Sequence, residues 1–187
     1  VPFGSERGFL ERMFRNRPLK QARLKKEKSV ARRGRLEVAG VPQHVIQRGN
    51  DRAPCFFAEA DYLAYLHWLS EGSSAYGVNL HSYCLMTNHV HLLVTPTRVA
   101  SLAGLMQYLG RYYVNYVNRV YGRTGTLWEG RYNASLVDSE AYLLTLHRYI
   151  EQNPVRARMV ARPEDYRWSS ANAHIRGPRD PRLTNHD

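Results

Sequence analysis

The sequence predicts an α+β fold: a ferredoxin-like β-α-β-β-α-β sheet with a C-terminal helix across its open face. Three observations predict it. Four short segments carry strand-like alternation, and two of these are joined by the tight turn Thr87-Asn88. Two longer segments with helical spacing of apolar residues separate the strands in the required order. A third helical segment follows the fourth strand and is available to cover the face that the first two helices leave open.

The elements follow in order along the chain. His44-Val45-Ile46-Gln47-Arg48 reads as a strand ended by Gly49-Asn50-Asp51. Glu59 to Ala75 places Tyr62, Leu63, Leu66 and Leu69 at helical intervals, and Gly77 is a stop signal. Val78–Met86 and His89–Thr95 form a hairpin that Pro96 closes. From Ser101 to Tyr121 a broad stripe of Leu102, Leu105, Met106, Leu109, Tyr113, Tyr116, Val117 and Val120 marks a long amphipathic helix. Arg131–Val137 reads as the fourth strand, and Asp138 or Ser139 caps a last helix that runs to Gln152 and ends at Pro154.

The 187 residues suit one domain with extensions: an arm over 1–35, disordered or with a short helix, a domain over 36–170 and a tail over 171–187. The net charge of +11 is concentrated in the arm, where 12 Lys+Arg stand against 3 Asp+Glu, whereas residues 36–187 hold 15 against 13. Such an arm either attracts phosphates, with Arg32, Arg33 and Arg35 nearest the domain, or is a solvated tail. Two cysteines make no disulfide framework, and neither a membrane-spanning run nor a secretory signal pattern is visible. A cytoplasmic protein with reduced thiols and no membrane partner is expected.

The hairpin carries the chemistry. Within Asn88-His89-Val90-His91-Leu92-Leu93-Val94 the two histidines share one strand face and the aliphatic Val90, Leu92 and Val94 share the other. A two-residue turn pairs Met86 with His89 and Cys84 with His91. One face thus offers two imidazoles to a single point, as a metal site requires. Cys84 beside His91 makes a His/His/Cys zinc site conceivable. A small buried apolar residue is the preferred reading of that thiol. On the last helix Tyr149 and Asn153 are four residues apart and stack on one face. An Asn carbonyl can ligate a hard cation, and a phenolate can attack a phosphodiester once a nearby cation favours its deprotonation. Tyr149 is also, by pattern alone, an ordinary residue of an amphipathic helix.

Three segments taken together, Tyr83 to Val94, Arg123 to Tyr132 and Tyr149-Ile150-Glu151-Gln152-Asn153-Pro154-Val155-Arg156-Ala157, resemble the single-tyrosine HUH transposases. The REP-associated tyrosine transposases are the nearest subgroup. The resemblance runs from about Ala31 to Ser170 and leaves the first 30 residues uncovered. It implies His89 and His91 as metal ligands, Asn153 as the residue completing the metal site and Tyr149 as the nucleophile. It implies magnesium or manganese as the cofactor. It further implies nicking and strand transfer on single-stranded DNA through a 5′-phosphotyrosine, at hairpin-forming repeats or mobile-element ends, by a monomer or homodimer.

Arg123, Arg131, Arg148, Arg156 and Arg158 lie in or beside these segments and are the phosphate candidates. Trp128 either stacks on a base or anchors its loop in the core. Tyr108, Tyr112, Tyr113, Tyr116 and Tyr121 crowd one helix and either stack on bases or fill the core, with core preferred for Tyr113 and Tyr116. Two rival readings remain: a non-catalytic binder of DNA hairpins, and a zinc-dependent hydrolase using His89, His91 and Cys84.

Overall fold

A computed structural model describes residues 38–137, 139–177 and 179–184, all within one compact unit. The arm expected over residues 1–35, including Arg32, Arg33 and Arg35, lies outside the described residues, as does Asp138. Four strands, β1 (Gln43–Arg48), β2 (Val78–Met86), β3 (His89–Pro96) and β4 (Asn133–Leu136), form one sheet in the order β2-β3-β1-β4. Every pairing is antiparallel. With helices α1 (Glu59–Tyr76) and α2 (Ser101–Val120) in the two crossovers, this is the expected ferredoxin-like arrangement.

The two sheet faces are built differently. Val45, Tyr83, Leu85, Val90, Leu92 and Val94 are all nearly inaccessible and form the main core with Tyr65 and Leu69 of α1 and Leu105, Leu109 and Tyr113 of α2. Burying a large apolar side chain contributes about 1.5–3 kcal/mol, so this face holds most of the hydrophobic stabilisation. Gly77, at φ +65°, ends α1 in the left-handed conformation and donates to the carbonyls of Ser73 and Ser74.

Asp61 ties the two helices together. It is fully buried, and its carboxylate accepts from the Phe57 and Ala58 amides at 2.7 and 2.9 Å. The Tyr116 and Tyr121 hydroxyls donate to the same group at 3.0 and 2.9 Å. Tyr113 donates to the Cys55 carbonyl, and Tyr108 to Glu71. The tyrosines of α2 are therefore mostly packing and bracing groups rather than a base-stacking face.

The opposite face is half covered. Helix α3 (Glu140–Glu151), capped by Ser139 through its hydroxyl, lies over β2 and β3. Leu146 and Ile150 pack there with Cys84, Met86, Leu93, Val137 and Tyr166. Pro154 does not end the helical path. It opens a further turn, α4 (Asn153–Arg156), where its missing N–H is no loss. The fourth strand is also shorter than Arg131–Val137, because the chain at 127–129 is zipped to the end of β1 through Asn50 N to Leu127 O and Glu129 N to Arg48 O.

The described residues beyond 170 are tied to the sheet. They include α5 (Ala171–Arg176), and Tyr83 donates to Asp180 at 2.8 Å while the Thr184 amide bonds the Leu80 carbonyl. Together with Leu85 N to Trp168 O and Ser170 N to Tyr83 O, these bonds cover the outer edge of β2. Among the described residues no helix is long and apolar enough to cross a membrane.

Candidate active site

The hairpin register is the expected one: Met86 faces His89 and Cys84 faces His91. Both histidines therefore stand on the face that α3 shares, and their ring centroids lie 4.9 Å apart. Strand β1 contributes a third imidazole. Val45 points into the main core, so His44 points to the other face. Its Nε2 is 3.0 Å from His91 Nδ1. Sequence reasoning missed His44. Its signal was the alternation around Val45, but only the pairing of β1 with β3 brings it to His91.

Tautomers follow from the hydrogen bonds. Asn88 donates its amide N–H to the Arg52 carbonyl, which turns its oxygen to His89 Nδ1 at 2.7 Å. His89 Nδ1 is then the protonated nitrogen, and Nε2 keeps its lone pair. His91 is 3 % exposed. Burial pulls His89 and His44 down to about 4, helped at His89 by the charge of Arg48. Burial, then the neighbouring His89, His44 and Arg48, takes His91 to about 3. All three rings are therefore neutral near pH 7, the state in which an imidazole can coordinate a cation.

Helix α3 brings Tyr149 to this cluster. The Tyr149 ring is edge-on to His91 at 6.0 Å and to His44 at 6.1 Å. The residue is 38 % exposed. The Arg156 guanidinium lies 4.7 Å from the ring centroid, a cation–π contact that fixes the ring from the solvent side. Asn153 donates its amide N–H to the carbonyls of Tyr149 and Ile150 at 2.9 and 3.1 Å. That leaves Asn153 Oδ1, the ligand-type atom, turned away from the helix end. Two neutral imidazoles and an amide oxygen suit a divalent ion of the magnesium–manganese kind, with imidazole tilting the set toward manganese.

Beside the histidines the sheet is uncovered. A groove of about 340 Å³ is lined by Ile46, Arg48, Glu129, Gly130, Arg131 and Asn133. Ile46 and Arg48 are the cross-strand partners of His91 and His89, so the groove begins one strand away from the site. Arg131 lies in it, and Arg48 joins it without having been singled out in the sequence. Arg148 and Arg158 are exposed on the same C-terminal stretch. Arg123 is spent partly on the Phe57 ring at 5.6 Å.

Two alternatives lose their footing. Trp128 cannot stack on a base: it is 5 % exposed and lies stacked against Tyr113 at 6.1 Å, held there by the 127–129 zipper. Cys84 is fully buried, burial pushes its thiol up, and its Sγ contacts Met86. It belongs to the core under α3, so the His/His/Cys zinc site of the hydrolase reading is not formed.

Comparison with known proteins gives a family and a fold. Residues 37–153 match the family model described as IS200-like transposase, a stretch that begins before β1 and ends on Asn153. No curated protein sequence matches the chain. Among solved structures, the REP-associated tyrosine transposase bound to a REP hairpin superposes with a TM-score of 0.62 at 13 % identity, over 84 % of this chain and 93 % of that one. A protein from Deinococcus radiodurans R1 described as a transposase gives 0.44 at 24 % identity, over 65 % and 97 %. The first of these superpositions supports the fold alone, and the family match covers His44, His89, His91, Tyr149 and Asn153. The chain belongs to the IS200-like transposase family.

Proposed function

We propose that this chain nicks and rejoins single-stranded DNA at hairpin-forming repeat or mobile-element ends, with Tyr149 as nucleophile and His89, His91 and Asn153 as metal ligands. The observation that carries the reading is the meeting of Tyr149, from α3, with His91 and His44, from β3 and β1. A bound magnesium or manganese ion would polarise a phosphate oxygen and lower the cost of forming the phenolate.

The residues divide the work. Tyr149 Oη attacks phosphorus as its proton leaves, the bond from phosphorus to the DNA O3′ breaks, and the 3′-hydroxyl departs. The product is a 5′-phosphotyrosine, and attack by a second 3′-hydroxyl regenerates Tyr149 and a new phosphodiester. Phosphodiester count is conserved, so no nucleotide cofactor is required. His89 and His91, neutral at pH 7, present Nε2 lone pairs, and Arg156 holds the Tyr149 ring in place. Arg48 and Arg131 in the groove are placed to hold the backbone beside the scissile phosphate, and Arg148 and Arg158 extend the basic surface. Tyr149 stands beside the histidines of its own chain, which supports Tyr149 serving its own metal site. The hairpin preference rests on the REP-associated fold relative and on the motifs of that subgroup.

The test is incubation with manganese or magnesium and labelled single strands carrying palindromic repeats, followed by a denaturing gel. A covalent protein–DNA band that disappears in Tyr149→Phe is expected. Cleavage that persists unchanged in that variant removes Tyr149 as nucleophile. Hairpin binding without cleavage by the unmodified protein selects the non-catalytic binder instead.

A further inference from the structure

We propose that His147, Glu151 and His174 form a second metal site, of the zinc class, which staples α3 to α5 and is separate from the His89–His91 centre. His147 and Glu151 are one turn apart on α3, and His174 comes from α5. One donor atom from each lies within 4.8 Å of the other two. The His147 and His174 rings meet edge to face at 5.5 Å. On α3 the buried stripe of Leu146 and Ile150 separates this trio from Tyr149, which occupies the opposite flank of the helix.

The donor set selects the ion. Glu151 is 8 % exposed, unusual for a carboxylate in a chain of net charge +11. Its Oε1 accepts from Ser170 Oγ and from His174 Nδ1, both at 2.6 Å. Ser170 holds the carboxylate in place, and an ion would replace the proton that His174 Nδ1 and Glu151 Oε1 share. Two imidazoles with one carboxylate are the ligands of zinc and its neighbours, whereas magnesium prefers oxygen alone. Zinc bonds of about 2.0–2.2 Å put tetrahedral ligands roughly 3.3 Å apart, so small side-chain rotations close the trio onto an ion. The imidazoles are only partly covered, so water can take the fourth position. The ion would join a helix at 140–151 to one at 171–176, fixing the helix that carries Tyr149 from its far side.

The reading does not depend on DNA nicking, and its test does not use it. The full chain carrying His89→Ala and His91→Ala is freed of metal by chelation and dialysed against zinc alone. One zinc per chain and a raised melting temperature are expected, with no rise for magnesium. Adding His174→Gln, which keeps a hydrogen-bond donor for Glu151, should abolish both while leaving the metal-free melting temperature nearly unchanged. His147→Gln, at a partly exposed helix position, should do the same. Absence of zinc from the first variant overturns the proposal, leaving a hydrogen-bond latch. Zinc retained after His147 and His174 are both replaced overturns it equally.

Discussion

His44 Nε2 stands 3.0 Å from His91 Nδ1, with the two rings stacked at 14°. If His91 coordinates an ion through Nε2, that nitrogen must be unprotonated, so Nδ1 carries the proton and donates it to His44. His44 is then the outer partner that sets the tautomer of a ligand. Loss of such partners costs about 10–100-fold in metal affinity or activity. His44→Ala should raise the manganese concentration needed for half-maximal cleavage by that order. His44→Gln, whose carbonyl can accept the same proton, should recover part of the loss. A manganese titration that does not move in His44→Ala would show that His91 is oriented by something else.

The groove at the β1–β4 side makes a separate prediction. Arg131 is exposed and lines it together with Arg48, while α3 covers only the β2–β3 half of that face. Arg131→Ala should weaken single-stranded DNA binding at low salt and reduce the slope of log K against log salt by about 0.7, the value for one phosphate contact on a single strand. The same affinity loss with an unchanged slope would mean that Arg131 reads something other than phosphate.

How much of this was legible in the sequence depended on the distance over which a contact is specified. His89 and His91 share a face because a two-residue turn fixes a local register, and Tyr149 and Asn153 share one because a helix repeats. His44 reaches His91 only through a pairing between segments 47 residues apart, which alternation alone cannot choose. The same holds for Glu151 with His174 and for Asp61 with Tyr116 and Tyr121. A carboxylate on an amphipathic helix looks like solvent-facing charge until its distant donors are known. Pro154 misled for a local reason: a proline that terminates one helix is equally suited to begin the next turn.

Asp61 gives a stability prediction. Four donors converge on one fully buried carboxylate, two from the α1 entry, one from Tyr116 in α2 and one from Tyr121 just past its end. Asp61→Ala leaves the Tyr116 hydroxyl buried and unpaired, at about 1–3 kcal/mol before relaxation, and takes the shared acceptor from three part-buried donors that water can reach. A net loss of about 3–5 kcal/mol is expected, in the range seen when a buried network is broken. Urea denaturation measures it. A midpoint within error of the unmodified protein would mean that the tyrosine hydroxyls find other partners at little cost.

Acid should destabilise the metal-free protein through its active-site face. His44 and His89 are held at about 4 and His91 at about 3, mainly by burial, against 6.5 for the unfolded chain. Their folded-state values are depressed, so the unfolded chain takes up the extra protons between these limits. Stability from this cluster is intact above about 6.5, and it falls as the pH drops toward 4. His174 has the opposite sign. Its bond to Glu151 raises it, so its contribution is complete below the unfolded value and fades as the pH rises through the folded one. Melting temperatures in chelator from pH 7.5 to 4.5 should therefore decline on the acid side, and His44→Gln combined with His89→Gln should flatten that decline. An equally steep decline in the double variant would move the acid sensitivity elsewhere in the fold.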